Sequence, residues 1–550
     1  MADNPALPVG SSAIAHHAAS PVGSSPASGD RAAPPLLDLA VVGAGPAGLA
    51  GAIGAADAGC RVALLDLGAR PGGQFWRHGD PSLAVHVRGL QHRARTFAAL
   101  RGRFEAHRGA GRIEHLPEHA VWQVQRDGES GFLVRASADE RGAAPRTLRA
   151  RTVLIATGAY DRHVPSGWTL PGVMAVGGAQ ALLKGNGVAP GRRIVVAGTG
   201  PFLLSAADGL ARAGARVVAV VEAGHPAAYA REWRSVAAMP EKLSEAAGYA
   251  LSLARHRVPY LTGHAVVRAD GADRVRSVTV EAIDHSWAVR PGRGRRLECD
   301  ALAVGFGFVA QLELLLELGC ATNLDAGGML IVAVDAEQHT SVPGVYAAGE
   351  PTGVGGADLA LAEGALAGDA IARALGRRGS LTPSALARTR RERRRLRRFA
   401  RALARVHPVP DGWQSWCAPD TQICRCEEVT IGEVREAIAL GARDARTVKL
   451  LARPGMGWCQ GRICGSAVAA LTAAAHGRAV HADDLRDLAR RPLAHPVPLG
   501  ALASSHADGD GGVSSSGPGD GRGDRGGRGA QSDHDARNDH DVQSDRSRRR

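Results

Sequence analysis

The stretch that decides the fold is LLDLAVVGAGPAGLAGAIGAADAGCRVALLDLGARPGGQFWR, residues 36–77. It begins with an apolar strand, Leu39 to Val42, which leads into a glycine-rich turn and an alanine-rich helix. A second strand, Arg61 to Leu65, follows and ends on Asp66. Strand, turn, helix, second strand and terminal acid therefore have the spacing of a dinucleotide-binding unit.

The glycines of this turn have separate physical roles. Gly43 allows the tight turn, Gly45 lets the backbone approach a pyrophosphate, and Gly48 lets the helix pack closely on the strand. The phosphates are expected at the helix N-terminus, where free N–H groups favour negative charge, and Asp66 is placed to bind a ribose. The candidate binding residues of this unit are Gly43, Gly45, Pro46, Gly48, Asp66, Gly73 and Gln74.

Length and charge limit the classes of function. A chain of 550 residues is long enough for two to four domains. The formal charge is +13, but much of the excess lies between Arg388 and Arg405, and no basic strand with interleaved aromatic residues accompanies it. This distribution argues against a nucleic-acid partner. No long apolar run is free of glycine or charge, so we expect no transmembrane segment and a cytoplasmic location.

The two ends of the chain differ from the middle. Residues 1–35 have no basic region followed by an apolar core and do not resemble a secretory signal. Residues 491–550 are dominated towards their end by Gly, Ser, Asp and Arg, a composition that cannot bury a core. We expect both segments to be disordered tails.

A different pattern follows the first unit. The alternating segments Ala120 to Gln125 and Gly131 to Ala136 predict antiparallel strands inserted in the first domain. The next strand, TVLIATG, ends on Thr157 and Gly158, small residues that suit a close approach to a cofactor. A simple strand exit is the alternative interpretation of these two residues.

A second strand–turn–helix–strand begins at Arg193. Gly198 and Gly200 occupy the first two glycine positions, Leu203 stands at the third, and Glu222 ends the second strand. A leucine there would separate helix from strand, so the unit either binds NAD(P) or another adenine nucleotide or is only a structural Rossmann-like unit.

A segment after residue 301 returns the chain to the first domain. An apolar strand, Ala301 to Phe308, precedes TSVPGVYAAGEPTGVGGADLALAEGALAGDAIA, which begins at Thr340. The latter resembles the second flavin signature of two-dinucleotide flavoproteins, with Gly349 and Glu350 at the position where Asp is commoner. This resemblance implies FAD, rather than NAD, as the first cofactor.

Between Arg388 and Arg405 the chain has helix-forming residues throughout, with Leu396, Phe399 and other apolar residues on one side. We interpret this segment as a solvated helix that packs one narrow stripe. A docking site for an acidic partner subunit is the alternative.

Four of the eight cysteines lie in TQICRCEEVTIGEVREAIALGARDARTVKLLARPGMGWCQGRICG, residues 421–465. Cys424 and Cys426 form one close pair and Cys459 and Cys464 a second, with a helical segment between them. Two such pairs can converge on one point, and thiolates suit an iron–sulfur cluster or zinc. A single residue between paired cysteines fits structural zinc less well, so [2Fe-2S] is favoured, with zinc or no metal as the alternatives.

Other catalytic motifs are absent from the sequence. There is no CxxC in the first two domains for a disulfide relay, and no HExxH or GxSxG. We therefore identify no catalytic residue. The remaining cysteines are interpreted as packing residues: Cys60, Cys299, Cys320 and Cys417.

The cysteine segment resembles the bacterioferritin-associated-ferredoxin-like (BFD-like) [2Fe-2S] domain. Together with PSGWTLPGVMAVGGAQALLKGNGVAPGRRIVVAGTGP and GEPTGVGGADLALAEG, it resembles the alpha subunits of D-hydroxyproline, opine and proline dehydrogenases and of hydrogen cyanide synthase. The resemblance implies an FAD-dependent oxidoreductase that acts on CH–NH or CH–NH2 donors within a hetero-oligomer, either cytoplasmic or peripheral on the inner membrane. An FAD-containing beta subunit would oxidise the amine, and a small ferredoxin-like subunit is a further candidate partner.

These observations predict an α/β fold with two Rossmann-like, three-layer (ββα) domains, the second inserted in the first, and a small helical [2Fe-2S] domain. The predicted boundaries are 36–162 and 301–376 for the FAD domain, 163–300 for the inserted domain, 377–418 for a basic helical linker and 419–490 for the BFD-like domain. Two other functions stay open: a self-sufficient NAD(P)H:acceptor oxidoreductase, and a non-catalytic scaffold or iron-handling module.

Anaerobic purification tests the cofactor prediction. We expect a flavin absorption band together with cluster absorbance, and a rhombic paramagnetic signal after reduction, because a [2Fe-2S] cluster accepts a single electron. A colourless protein that contains stoichiometric zinc would contradict the prediction.

Overall fold

The computed structural model describes residues 35–79, 90–128, 131–138, 145–164, 169–290, 292 and 294–507. Almost all of the predicted N-terminal tail, and the predicted C-terminal tail beyond residue 507, lie outside these described residues. None of the helices in the described ranges combines the length and the apolar character that a membrane crossing requires.

The first domain is built on a mainly parallel sheet. Its strands are β1 (Leu36–Val42), β2 (Val62–Leu65), β3 (Ile113–Leu116), β4 (His119–Asp127), β5 (Gly131–Ala138), β6 (Arg146–Ile155) and β19 (Val345–Ala347). Strands β3, β2, β1 and β6 run parallel in that order, and β19 pairs in parallel with the end of β6. Strands β5 and β4 extend β6 as the predicted antiparallel layer.

Glycines bring the helices of this domain into backbone contact. The helices are α1 (Pro46–Asp57), α2 (Ala94–Gly109) and α8 (Gly356–Ala374). A Cβ atom on Gly364 would lie 2.1 Å from the carbonyl oxygen of Ala47, and one on Gly368 would lie 2.5 Å from that of Gly51. Only glycine allows α1 and α8 to approach this closely.

The second domain contains a parallel sheet of its own, in the order β11-β10-β9-β15-β8. The strands of this sheet are β8 (Val173–Ala175), β9 (Arg193–Gly198), β10 (Arg216–Glu222), β11 (Tyr260–Thr262) and β15 (Ala301–Gly305). Strands β12 (His264–Asp270), β13 (Ser277–Ala282) and β14 (Arg295–Glu298) form an antiparallel sheet. The helices are α3 (Val176–Asn186), α4 (Phe202–Arg212), α5 (Trp233–Ala237) and α6 (Pro240–Arg255).

The sequence predicted that the chain returns to the first domain at residue 301. This prediction is wrong by one strand, because the strand that begins at Ala301 still belongs to the second domain. β15 pairs in parallel with β9 on one side and β8 on the other, so it belongs to the second sheet. The sequence of an apolar strand does not show which sheet the strand joins, because pairing with residues far away in the sequence decides this. The crossover between the domains is the antiparallel pair β7 (Ala159–Asp161) and β16 (Phe308–Ala310). The chain continues through α7 (Glu313–Glu317), β17 (Thr322–Leu324) and β18 (Leu330–Val332).

The predicted basic helix is α9 (Pro383–Val406), and it buries Leu396, Ala400, Ala402 and Val406. Several of its arginines pair with carboxylates of the first two domains. These pairs are Arg390–Glu337, Arg393–Glu363, Arg397–Glu363, Arg395–Glu241 and Arg405–Glu232. The helix therefore joins both domains through five of its arginines.

The cysteine segment lies in a small helical domain. Its elements are β20 (Gln422–Cys424), β21 (Val429–Thr430), α10 (Ile431–Ala439), α11 (Ala445–Ala452), α12 (Gly465–Ala475) and α13 (Ala482–Ala489), followed by α14 (Leu499–Ala507). Thr430 and Glu433 form a capping box that begins α10. The predicted start of a tail at residue 491 differs from the structure. Ala494 is buried and donates its amide to the Trp122 carbonyl oxygen, because this part of the chain packs on β4.

The predicted fold class is confirmed in its main features: two Rossmann-like α/β domains, the second inserted in the first, precede a small helical domain.

Substitution of Gly48 by alanine tests the packing of α1 on its strand. A Cβ atom there would lie 1.7 Å from the Gly43 carbonyl oxygen, so we expect a loss of roughly 1–3 kcal/mol or more and reduced flavin retention. Thermal melting and absorbance of the purified protein measure both effects. Gly102→Ala is the matched control, because a Cβ atom on that exposed helical glycine would have no atom within 4 Å and alanine favours the helix by up to about 1 kcal/mol.

Candidate functional site

A cavity of about 1970 Å³ extends through both Rossmann-like domains to the cysteine segment. It is larger than the roughly 300–1,000 Å³ of a typical small-molecule site. Predicted residues from all three regions line it: Gly43, Gly45, Pro46, Asp66, Gly73, Gln74, Thr157, Gly158, Gly200, Gly349, Glu350, Cys424, Cys426, Cys459 and Cys464. The structure therefore brings the candidate sites for two kinds of redox group into one enclosure.

The first glycine turn leaves open backbone at the cavity. Gly43 has a φ of 105°, and a Cβ atom on it would lie 2.3 Å from the Ala156 carbonyl oxygen. Gly45, in contrast, has nothing within 4 Å of its Cβ position. Gly73 packs on it, with its own Cβ position 2.8 Å from the Gly45 Cα. This floor can accept a pyrophosphate at the N-terminus of α1.

Asp66 is held at the end of β2 by two backbone amides. Its Oδ1 accepts a hydrogen bond from the Gly68 amide at 2.5 Å, and its Oδ2 accepts one from the Ala44 amide. Burial raises the pKa of this carboxyl, and the two amides oppose that shift. The orientation of the carboxylate at the cavity wall fits the ribose contact that the sequence predicts.

Polar side chains border the middle of the cavity. The Thr157 hydroxyl donates to the backbone carbonyl oxygen of Gln311 at 2.8 Å. The backbone amide of Gln311 donates in turn to the carbonyl oxygen of Gly158 at 3.0 Å. Gln74 accepts two hydrogen bonds from the Arg77 guanidinium, at 2.7 and 3.2 Å. Gln74, Thr157 and Gly158 therefore line the cavity, and each has a hydrogen-bond partner within the chain.

Glu350 lines the cavity, and both of its carboxylate oxygens accept backbone hydrogen bonds. The Gly355 and Gly356 amides donate to it at 3.1 and 3.0 Å, at the beginning of α8. Burial raises the pKa of this carboxyl to about 7, although these amides oppose the shift. Glu350 thus caps α8 while it faces the candidate flavin site.

Sequence reasoning missed Glu363, a fully buried acid in the middle of α8. Its carboxylate accepts hydrogen bonds from the Gly349 amide at 3.0 Å and from the Thr352 hydroxyl at 2.9 Å. Arg393 and Arg397 of α9 pair with it. The sequence signal that could have identified Glu363 is an acid on a helix face that otherwise carries small apolar residues.

The second glycine turn is used differently. A Cβ atom on Gly198 would lie 1.7 Å from the Gly305 carbonyl oxygen, whereas the Gly200 amide donates to Glu222 Oε2 at 2.9 Å. Leu203, at the third glycine position, lies in the first turn of α4 and is buried in the core. The turn is therefore a well-formed structural unit in which a carboxylate already occupies the Gly200 amide.

His407, which follows α9, lies against this turn. Its Nδ1 is 3.1 Å from the Thr199 hydroxyl and 3.8 Å from Glu222 Oε1, and its Nε2 is 2.8 Å from the Tyr229 hydroxyl. Burial opposes ionisation of Glu222, but hydrogen bonds with His407, Thr199 and the Gly224 amide hold its pKa below the usual range. An imidazole therefore lies against the turn for which the sequence left open a nucleotide site or a purely structural unit.

The four cysteines of the small domain come together in two pairs. Cys424 hydrogen-bonds with Cys464, and Cys426 interacts with Cys459. The Gly455 amide donates to Cys424 Sγ at 3.4 Å. Among the described residues, no three His, Cys, Asp or Glu side chains form a group that could hold a metal ion. Two thiol pairs with a backbone amide directed at a sulfur fit a binuclear cluster, which takes two thiolates per iron, better than one tetrahedral ion.

The cysteines outside this segment form no disulfide, and in the described ranges none of them belongs to a group of three or more metal-ligating side chains. Burial raises the pKa of Cys60 and of Cys299 to about 11 each, and that of Cys417 to about 12. Thiols of this kind are unreactive, which agrees with their interpretation as packing residues.

Comparisons with known proteins agree with this arrangement. Residues 37–366 match the family described as pyridine nucleotide-disulphide oxidoreductase, and residues 422–474 match the BFD-like [2Fe-2S] binding domain. The chain is 35% identical over 476 residues to a subunit of opine oxidase from Rhizobium meliloti, covering 85% of this chain and 98% of that protein. It is 32% identical to hydrogen cyanide synthase subunit HcnB of Pseudomonas protegens, covering 78% and 90%.

A solved structure shares the fold. The crystal structure of L-proline dehydrogenase from P. horikoshii is similar with a TM-score of 0.60 and 21% identity, covering 85% of this chain and 79% of that chain. The resemblance inferred from the cysteine segment, the second flavin signature and the stretch that ends in the second glycine turn is thereby confirmed at the level of family and fold.

Substitution of Glu350 by glutamine tests the buried carboxyl. Because its pKa is raised when folded, the stability that its proton contributes is full below the unfolded pKa and is lost as the pH rises through about 7. We therefore expect the difference in melting temperature between Glu350→Gln and the unsubstituted protein to shift in favour of the variant as the pH rises from 5 to 8. The corresponding change in the relative free energy of unfolding is about 1–3 kcal/mol. The surface substitution Glu114→Gln should leave the relative melting temperature unchanged, and a flat difference for Glu350→Gln would contradict the assignment.

Proposed function

Since this chain belongs to the pyridine nucleotide-disulphide oxidoreductase family and carries a BFD-like [2Fe-2S] binding domain, we propose that it is the electron-transferring alpha subunit of a hetero-oligomeric amino-acid or opine dehydrogenase of the D-hydroxyproline type. The observation that carries the proposal is the single cavity that is lined both by the first glycine turn and by the four cysteines. Electron transfer between two carriers is fast only when the carriers lie close together, and residues that line one cavity can hold them in that way.

The first domain would hold FAD. The pyrophosphate of FAD would lie on the open backbone at Gly45, and its ribose would bind the carboxylate of Asp66. The remainder of the cofactor would lie against the wall formed by Gln74, Thr157 and Gly158. A flavin accepts electrons in pairs and releases them singly, which suits a neighbouring one-electron centre. The Asp66 carboxylate and the open backbone at Gly45 would orient the cofactor.

The four cysteines of the small domain would hold the [2Fe-2S] cluster. The Gly455 amide, which already donates to Cys424, would hydrogen-bond a ligand sulfur and so stabilise its negative charge. Cys426 is exposed, so the cluster would lie near the surface, where electrons can enter or leave.

The amine would be oxidised on a separate subunit. Both relatives with high coverage are named as subunits, one of opine oxidase and the other of hydrogen cyanide synthase. We propose that the partner is an FAD-containing beta subunit, with a small ferredoxin-like protein as a further partner, in the cytoplasm or on the inner membrane. The beta subunit would remove two electrons from a C–N bond, and this chain would pass them to an acceptor.

Apolar side chains beside the cysteines suggest where the beta subunit binds. Trp458, directly before Cys459, is 76% exposed, and Leu450 and Leu451 are also exposed. An exposed tryptophan next to a cluster ligand is suited to anchor a partner, because aromatic residues dominate the energetics of interfaces.

The runner-up function, a self-sufficient NAD(P)H:acceptor oxidoreductase, would need the second glycine turn. The bond between the Gly200 amide and Glu222, and the position of His407, disfavour a dinucleotide there. NADH should therefore fail to bleach the flavin of the isolated chain in stopped-flow absorbance. Rapid bleaching would favour the runner-up, and an assembled complex without electron flow would favour the scaffold alternative.

Substitution of Cys424 or Cys459 by serine tests the proposed function in the complex purified from its native host. We expect dye reduction with D-hydroxyproline, opines or proline to fall by more than the roughly 10–100-fold that loss of an outer-shell partner of a metal site costs. Cys417→Ser is the matched control, since Cys417 is a half-buried thiol outside the cysteine pairs. Unchanged turnover in the Cys424 and Cys459 variants would refute the proposal.

Substitution of Trp458 by alanine tests the docking face. We expect the affinity for the beta subunit to fall by about 2 kcal/mol, or roughly 30-fold in Kd, while flavin and cluster absorbance are retained. Trp233→Ala is the control, because Trp233 is 60% exposed on the inserted domain. Titration calorimetry with the separated beta subunit measures both, and equal affinities would rule out this face.

A further inference from the structure

A buried charge network joins the first domain to the cysteine segment. Glu313, at the beginning of α7, is only 5% exposed, and its Oε1 lies 2.7 Å from Arg462 Nε and 3.1 Å from Arg491 Nη1. Both arginine side chains are 9% exposed. Neither the glycine turns nor the cysteine spacing predicted this network.

Arg462 lies directly beside the cysteines. It is part of the CxxxxC segment, and its Nη1 donates to the Cys459 carbonyl oxygen at 3.3 Å and to Gln460 Oε1 at 3.0 Å. Arg491 donates to the Gln460 carbonyl oxygen, so both guanidinium groups hold the same loop. The cysteine loop is therefore fixed to the first domain through Glu313.

The same guanidinium reaches towards the candidate flavin site. Arg462 lies over the ring of Tyr160, with 5.6 Å between its Cζ and the ring centroid. Tyr160 comes two residues after Gly158, and Tyr160, Glu313 and Arg462 all line the cavity. The network thus occupies the wall between the regions where we place the flavin and the cluster.

The charges of this network do not cancel. Two guanidinium groups share one carboxylate, which leaves one net positive charge in a buried setting. Lys449 lies within electrostatic reach of Cys464 and adds a further positive charge. In a buried site such charges act strongly because solvent screens them little.

We propose that Arg462 is a positioning residue that, with Arg491 and Glu313, sets the reduction potential of the cluster. The proposal rests on the proposed function, in which the four thiolates hold a [2Fe-2S] centre. That centre gains one negative charge when it accepts one electron from the flavin, and a fixed positive charge stabilises the reduced form more than the oxidised form. The network therefore raises the potential and favours electron flow from the flavin to the cluster.

The test is a redox titration of the anaerobically purified full-length chain, followed by the paramagnetic signal of the reduced cluster. Arg462→Gln and Arg491→Gln should each shift the midpoint to lower potential, because each leaves Glu313 with one partner and no excess positive charge. Glu313→Gln should shift it to higher potential, and Arg462→Lys, which keeps the charge, should remain near the unsubstituted value.

Arg478→Gln provides the matched control. Arg478 belongs to the same small domain, but it pairs with Asp484 and donates to the Arg443 carbonyl oxygen rather than to the cysteine loop, and its side chain is 28% exposed. Solvent screens such a charge, so its loss should not move the midpoint. A merely structural role of Arg462 would alter cluster content without these opposite-sign shifts.

The outcomes separate the two proposals. An unsubstituted chain without a paramagnetic cluster signal would refute the proposed function itself. A normal signal with an unchanged midpoint in Arg462→Gln would overturn only this inference. If Arg462→Gln loses the cluster, the Arg491→Gln variant decides the question, because it leaves the guanidinium of the cysteine loop in place. An unchanged midpoint in Arg491→Gln then overturns the inference.

Discussion

The architecture depends on one buried carboxylate, that of Glu363. A fully buried charge costs several kcal/mol unless it is paired and hydrogen-bonded. Here the Gly349 amide, the Thr352 hydroxyl and two arginines of α9 surround it. The requirement to neutralise this acid therefore fixes α9 on the first domain and, with it, the turn at Gly349 that faces the cavity.

The position of α9 has consequences for the second domain. Arg395 and Arg405 pair with Glu241 and Glu232 of that domain, so the helix holds both Rossmann-like units. Its end then brings His407 to the second glycine turn. The sequence predicted a solvated helix that packs one narrow stripe, and in the structure that stripe lines the shared cavity while several arginines pair with both domains.

The two glycine turns show how similar sequences come to differ in structure. At the first turn the Ala44 amide donates to Asp66, and Gly45 stays open to the cavity. At the second turn the acid accepts from the Gly200 amide, one position later in the pattern, and an imidazole lies beside it. The difference arises from which amide the carboxylate reaches, and from a helix about 200 residues further along the chain.

The sequence by itself determined the local units: the two strand–turn–helix–strand segments, the antiparallel insertion, the basic helix and the two cysteine pairs. These follow from glycine positions, hydrophobic periodicity and the spacing of like residues, all of which act over short stretches of chain. Only the tertiary structure decided that Ala301 to Gly305 joins the second sheet, that Glu363 anchors α9, and that Arg462 and Arg491 share Glu313. The reason is physical, because strand partners and buried ion pairs are selected by packing between residues far apart in sequence, and no local pattern contains that choice.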